Sequence, residues 1–259
     1  MFLFCWLFLH LTIAAPPSSK NRNIHVIGKY SLASDELEFL LDVSEVKNQP
    51  STNPQDYSLT FNDGIALGNP FFVESISQEQ KTTVLLFDDS ISMWKAQKTM
   101  KAAAKVFLSS LDATQQQNHT VDILTGSMTL NVIGEDLDIN QALTTIDILP
   151  RPQGKNTALR DMIDKAIDKA TEGNDIADGG LRQVIVFSDG LEESSLATSD
   201  VQSLIDKAHV EGVQIHFLFS TVWSTKKNSN RELKNSEVTK LDRLESLAKS
   251  TGGVNAKED

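Results

Sequence analysis

A chain of 259 residues with a hydrophobic share of 40% is long and apolar enough for one α/β domain and a smaller companion. Its formal net charge of −11 argues against a nucleic-acid partner. The sole cysteine, Cys5, lies in the first apolar segment, so a chain processed after that segment carries no thiol and no disulfide.

Residues 1 to 15, MFLFCWLFLHLTIAA, read as a secretory signal peptide. The run is apolar but too short to span a bilayer, and Thr12 and Ala14 are small residues at the offset of a cleavage site. No Lys or Arg precedes it, which leaves an inserted anchor, a mis-assigned start or a buried N-terminal strand as alternatives. Export without disulfides fits a secreted or periplasmic protein of a bacterial envelope better than a disulfide-dense ectodomain.

Residues 21 to 80 carry short β-type segments at 24 to 27, 37 to 41, 57 to 61 and 71 to 75. They are separated by turn signals such as Asn62-Asp63-Gly64 and Gly68-Asn69-Pro70. This predicts a small antiparallel β module, marginal as a core and expected to pack on the α/β domain that begins at residue 81.

From Lys81 the pattern alternates. Thr82 to Phe87 reads as a strand whose unbroken apolar run, Val84 to Phe87, ends at Asp88-Asp89-Ser90-Ile91-Ser92, and residues 93 to 111 repeat apolar side chains at helical spacing. Strands at 120 to 125 and 128 to 133 are separated only by Gly126-Ser127, which predicts an antiparallel hairpin. A helix at 139 to 148 and another at 158 to 170 flank the loop Pro152-Gln153-Gly154. The strand at 183 to 187 stops at Ser188-Asp189-Gly190. A helix capped by Ser199 or Asp200 and closed by Gly212 comes next, then a buried strand at 213 to 219 and a last helix at 237 to 250. The order is that of a doubly wound α/β fold, mostly parallel with one reversed strand.

Ligands of such sheets bind beyond the carboxyl ends of the strands. Asp88, Ser90 and Ser92 fall there, and their all-oxygen chemistry suits a hard divalent cation, Mg²⁺ before Zn²⁺. Thr157, in the loop before the 158 to 170 helix, and Asp189, after the 183 to 187 strand, fall on the same face. Each has a plainer reading: Asp88 and Thr157 as helix caps, Asp189-Gly190 as a turn. The five histidines show no metal-ligand spacing.

With Asp88-Asp89-Ser90-Ile91-Ser92, Asn156-Thr157-Ala158-Leu159 and Phe187-Ser188-Asp189-Gly190 at these points, residues 82 to 253 resemble the von Willebrand factor type A family. The resemblance implies a metal-ion-dependent adhesion site in which Ser90 and Ser92 bind Mg²⁺, with Mn²⁺ or Ca²⁺ as alternatives. Thr157, Asp88 and Asp189 would bind directly or through water. The free position would accept a Glu or Asp from a partner protein, a charge-assisted contact. The segment before residue 81 is similar to one that precedes this domain in bacterial secreted members. Family members usually continue into a sixth strand and a final helix, so the end at Asp259 implies a truncated chain or an unfilled sheet edge.

The segment 222 to 236 is basic, with Lys226, Lys227, Arg231 and Lys234, and leaves the same face; it is expected either to attract an acidic partner or to be a solvated loop. The function expected is non-enzymatic, cation-dependent protein binding or cell adhesion. Its rivals are a Mg²⁺-dependent phosphotransferase of the haloacid dehalogenase type, a receiver-like domain and a metal-free structural domain of an envelope complex. The first needs a second carboxylate where this chain has Ser90.

Overall fold

The computed structural model describes residues 24–30, 37–43, 59–60, 66–68, 81–111, 116, 118–172, 181–190, 200–219 and 235–257. The chain divides into two compact units, and the main sheet lies in the larger. Residues 1 to 15, the segment at 71 to 75, and the basic residues Lys226, Lys227, Arg231 and Lys234 lie outside the described residues.

Among the described residues before 81 there are two two-stranded ladders. One joins β1 (Ile24–Tyr30) to β2 (Leu37–Val43), and an antiparallel one joins β3 (Leu59–Thr60) to β4 (Ala66–Gly68).

The main sheet is built on β5 (Lys81–Asp88), whose side chains from Thr82 to Asp88 are all buried. A strand buried on both faces needs parallel neighbours and helices on both sides. It has β6 (His119–Gly126) on one edge and β8 (Leu181–Ser188) on the other, both parallel and in unbroken register. β7 (Leu130–Leu137) pairs antiparallel with β6, while β9 (Val213–Phe219) continues parallel beyond β8. With β10 (Asn255–Lys257) at one edge, the order is β10-β9-β8-β5-β6-β7, the predicted doubly wound architecture with one reversed strand.

Alternation along β5 supplies two cores. Val84 and Leu86 pack with Val184, Val186, Ile215 and Phe217 under α3 (Leu159–Thr171), α4 (Val201–Val210) and α5 (Asn235–Ser250). Leu85 and Phe87 turn the other way, joining Val121, Ile123 and Phe187 under α1 (Gln97–Ser110) and α2 (Ile139–Ile148). Among the described residues no helix is long and apolar enough to cross a membrane.

Three details differ from the sequence expectation. The edge beside β9 is filled, because β10 runs as a short parallel strand along Phe217 to Phe219. The β6–β7 connection turns over Ser127, Met128 and Thr129 rather than over two residues. The long helix expected from residue 93 is broken into a 3₁₀ turn, Ile91–Trp94, followed by α1. Asp200 caps α4 by accepting from Ser203 N at 2.8 Å, and Gly212 closes it at φ 62°, as the sequence indicates. α2 also carries a capping box, Asp138 with Gln141, which apolar periodicity alone does not reveal.

One buried polar group has a consequence for pH. His119 Nε2 lies 2.6 Å from Thr83 Oγ1, which also accepts from Gln183 Nε2 at 2.7 Å. Burial, with the Lys81 charge adding to it, lowers the imidazole pKa from its ordinary 6.5 to about 4. The folded state therefore resists a proton that the unfolded chain accepts. The stability this confers is complete above about pH 6.5 and is lost as pH falls towards 4. His119→Gln should abolish this part of the pH dependence, so that wild-type and variant stabilities converge by a few kcal/mol at most between those pH values. Urea unfolding at stepped pH measures it, and parallel curves for the two proteins would refute it.

Candidate metal centre

β5 ends in Asp88 at 4% exposure, a carboxylate buried against the apolar core. Both its oxygens are held. Oδ1 accepts from Ser90 N at 2.8 Å and Oδ2 from the Ser188 hydroxyl at 2.7 Å. Burial pushes the carboxyl pKa up, and the hydrogen bonds from Ser188 and Ser90 oppose that rise. Ser188 is itself oriented by Gly190 N, which donates to its Oγ at 3.0 Å. Beneath the pair, Phe87 and Phe187 stack with centroids 4.6 Å apart.

The turn after Asp88 brings in two hydroxyls: Ser90 is buried, Ser92 is exposed, and their oxygens are 2.9 Å apart. Neither plainer capping role holds for the first loop and its neighbour. Asp88 bonds the Ser90 backbone rather than a helix end, and α3 has Ala158, not Thr157, at its N-cap. Thr157 and Asp189 are each 2% exposed.

Backbone hydrogen bonds lock the loops together. Asp89 N donates to Gly126 O at 2.6 Å, Gln153 N and Gly154 N donate to Asp89 O at 3.0 and 2.8 Å, and Ile91 N donates to Gly154 O at 2.7 Å. Ala158 N donates to Ser127 O at 2.7 Å, which fixes the residue after Thr157. Gly154 is required by this closeness, since a Cβ there would overlap the Ser127 side chain and meet Asp89 O at 3.1 Å. A small cleft opens beside Asp88 and Asp89, with Phe87, Phe187, Met93 and Met100 among its walls.

The donor set is one of hydroxyls and two carboxylates. Among the described residues no three His, Cys, Asp or Glu side chains cluster, so an ion here depends on Ser and Thr oxygens. The spacing fits. Adjacent ligands of an octahedral Mg²⁺, each near 2.1 Å, stand about 3.0 Å apart, and Ser90 Oγ and Ser92 Oγ, hydrogen-bonded to each other here, are separated by 2.9 Å.

Direct contacts thus join Asp88, Ser90 and Ser92, while Thr157 precedes the residue tied to Ser127 O and Asp189 follows Ser188 at the end of β8. Ser188 and Gly154 were not singled out from sequence. Ser188 was findable, because runs ending Phe87-Asp88 and Phe187-Ser188 place the hydroxyl opposite the carboxylate once β5 and β8 pair in register.

No protein-family model and no curated protein sequence matches the chain. Solved structures do. The conserved hypothetical protein BatB from Bacteroides thetaiotaomicron is similar at 17% identity and TM-score 0.50, over 69% of this chain and 90% of that one. An aerotolerance-related membrane protein from Bacteroides fragilis is similar at 14% identity and TM-score 0.49, over 69% and 91%. Proximal thread matrix protein 1 from the mussel byssus matches at 18% and 0.48, over 69% of this chain and 44% of its own. The larger unit shares its doubly wound, mostly parallel α/β fold with the first of these structures.

Replacing Ser188 by Ala strips a donor from a buried carboxylate, which should cost about 1–3 kcal/mol. Ser92→Ala, at an exposed hydroxyl, should stay within about 0.5 kcal/mol. Urea unfolding in EDTA compares them, and equal losses would show that Asp88 does not depend on Ser188.

Proposed function

We propose that the larger unit is a non-enzymatic, divalent-cation-dependent protein-binding module, used for adhesion or assembly. Asp88, Ser90, Ser92, Thr157 and Asp189 hold Mg²⁺, with Mn²⁺ or Ca²⁺ as alternatives. The observation that carries the reading is the Ser90–Ser92 hydroxyl pair, held 2.9 Å apart in a loop fixed by the buried Asp88. A bound cation would supply an electrophilic position that accepts a Glu or Asp carboxylate from a partner protein.

The chain's own residues divide the work. Asp88 positions the loop through Ser90 N and contributes charge, since both its oxygens are already engaged. Ser90 and Ser92 offer neutral oxygens, so the ion's charge is not fully quenched. Thr157 and Asp189 complete the set from the two flanking loops. A buried Asp88 bonded at both oxygens is ill placed as a phosphoryl-accepting nucleophile, and Ser90 stands where such an enzyme needs a second carboxylate. The apolar leader at residues 1 to 15 supports export to the envelope or beyond.

A metal-free structural role is favoured by one observation: Asp88 is satisfied by Ser90 N and Ser188 Oγ alone. Thermal melting of the purified chain separates the two readings. Mg²⁺ or Mn²⁺ at about a hundredfold above its Kd should raise the midpoint by about 5 to 10 °C over EDTA. A Ser90→Ala, Ser92→Ala double variant should show no rise. An unchanged wild-type midpoint would leave the metal-free scaffold as the function of this fold.

A further inference from the structure

Next to the hydroxyl pair stands a feature the cation site does not use. Trp94 closes the same 3₁₀ turn that holds Ser92, and 54% of it is exposed. The Arg151 guanidinium lies over its ring, 5.6 Å from the centroid. An exposed cation–π pair of this kind contributes only about 0.5–1 kcal/mol, too little to explain leaving a tryptophan open to water.

Nor does the loop need the pair to hold its shape. Arg151 stands between Pro150 and Pro152, whose rings fix their backbone φ. From α1, Gln97 Nε2 donates to Pro150 O, and Lys101 Nζ donates to Leu149 O at 2.9 Å. Leu149 and Pro152 are buried on either side. The backbone that carries Arg151 is thus held by proline, hydrogen bonds and core packing, and the ring of Trp94 is what its guanidinium meets. Five N–H donors in a fixed fork suit a carboxylate, and stacking on Trp94 leaves the in-plane donors open.

Charge points to the same occupant. In the rim segments 91 to 95 and 150 to 156 the ionisable side chains are Lys95, Arg151 and Lys155, all exposed and all cationic, in a protein of formal net charge −11. Of the acids of the site, Asp88 and Asp189 are buried beneath, and Asp89 is half-buried in the cleft wall, its backbone tied to Gly126, Gln153 and Gly154. Ile91, 58% exposed, adds an apolar surface beside Ser92. Trp and Arg are the residue types enriched where few side chains carry most of a binding energy.

We infer that the Trp94–Arg151 pair is a second recognition point, which binds another carboxylate of the same acidic partner segment whose first carboxylate goes to the cation. The inference rests on the proposed cation-dependent binding, and it narrows the partner to a peptide segment with paired acids rather than a lone Glu or Asp. In an extended segment, acids at i and i+2 share a face about 7 Å apart.

The test uses the full chain and immobilised short peptides of Gly, Ser and Leu carrying no Glu, one Glu, or Glu-Leu-Glu. In Mg²⁺ the paired-acid peptide should capture the protein with about fivefold higher affinity than the single-acid peptide. Arg151→Gln should bring that ratio near one while keeping single-acid binding and the cation-dependent melting shift; Trp94→Leu should lower it in the same sense. An unchanged ratio in Arg151→Gln, or no capture of any peptide, overturns the inference. A ratio that survives EDTA but not Arg151→Gln sinks the cation reading and leaves the Arg151 assignment standing.

Discussion

A carboxylate at the end of a fully buried strand must find its donors inside the protein, and that requirement organises this molecule. Asp88 comes after six buried side chains and is itself 4% exposed. Left unbonded, such a charge would cost several kcal/mol. Its two donors come from different levels of the structure. Ser90 N is local and sets the bend of the first loop, whereas Ser188 Oγ arrives from β8 and is present only if β5 and β8 pair in the observed register. A one-residue slip would put Ser188 out of place and reverse the faces of every apolar side chain along β8. The same register therefore satisfies the two cores and the carboxylate together.

Legibility in the sequence depends on which forces act locally. β5, β8 and β9 show as apolar runs because both of their faces are buried, and α1, α2 and α3 show as amphipathic repeats because one face is. Asp200 and Gly212 show because capping chemistry is written in the capping residue itself. The features that stayed hidden depend on neighbours distant in sequence. β10 has only three residues and is a strand because β9 offers it an edge, and Ser188 matters because of a residue one hundred positions away. Gly154 is dictated by the closeness of Asp89 and Ser127, neither of which its own sequence context reveals. The 3₁₀ turn at Ile91–Trp94 replaces the start of the expected long helix because Ser90 and Ile91 are drawn to Gly154, which pairs with Ser90 as an isolated bridge and accepts from Ile91 N. The candidate ligands were readable as a motif, while their support was not.

The locked loops also bear on how a cation would be received. Ser90 and Ser92 already stand 2.9 Å apart and the backbone around them is bonded to β6 and to the 153–154 segment, so little ordering remains to be done on binding. Preorganisation of this sort lowers the cost of association. It carries a second implication, because a loop that is satisfied by protein hydrogen bonds keeps its shape whether or not an ion is present. Folding would then not depend on a cation at this site, unlike a structural zinc site, where the metal's binding energy is the folding energy.

Electrostatics act on the same face at longer range. A chain of formal net charge −11 repels acidic partners at a distance, yet the described rim around Ser92 displays Lys95, Arg151 and Lys155. Such a local reversal of sign narrows productive approach to one face, since screening confines the general repulsion to about 8–10 Å at ordinary ionic strength while a close pair acts at contact. Asp88 is held inward by Ser188 and the Ser90 amide, and the outward surface carries the hydroxyl of Ser92, the cations and Trp94, with Asp89 half-buried between. Under the proposed reading, the 90–92 turn would offer oxygen ligands to a cation while Arg151 and Lys155, from the adjoining 150–156 segment, would offer positive charge to an acid.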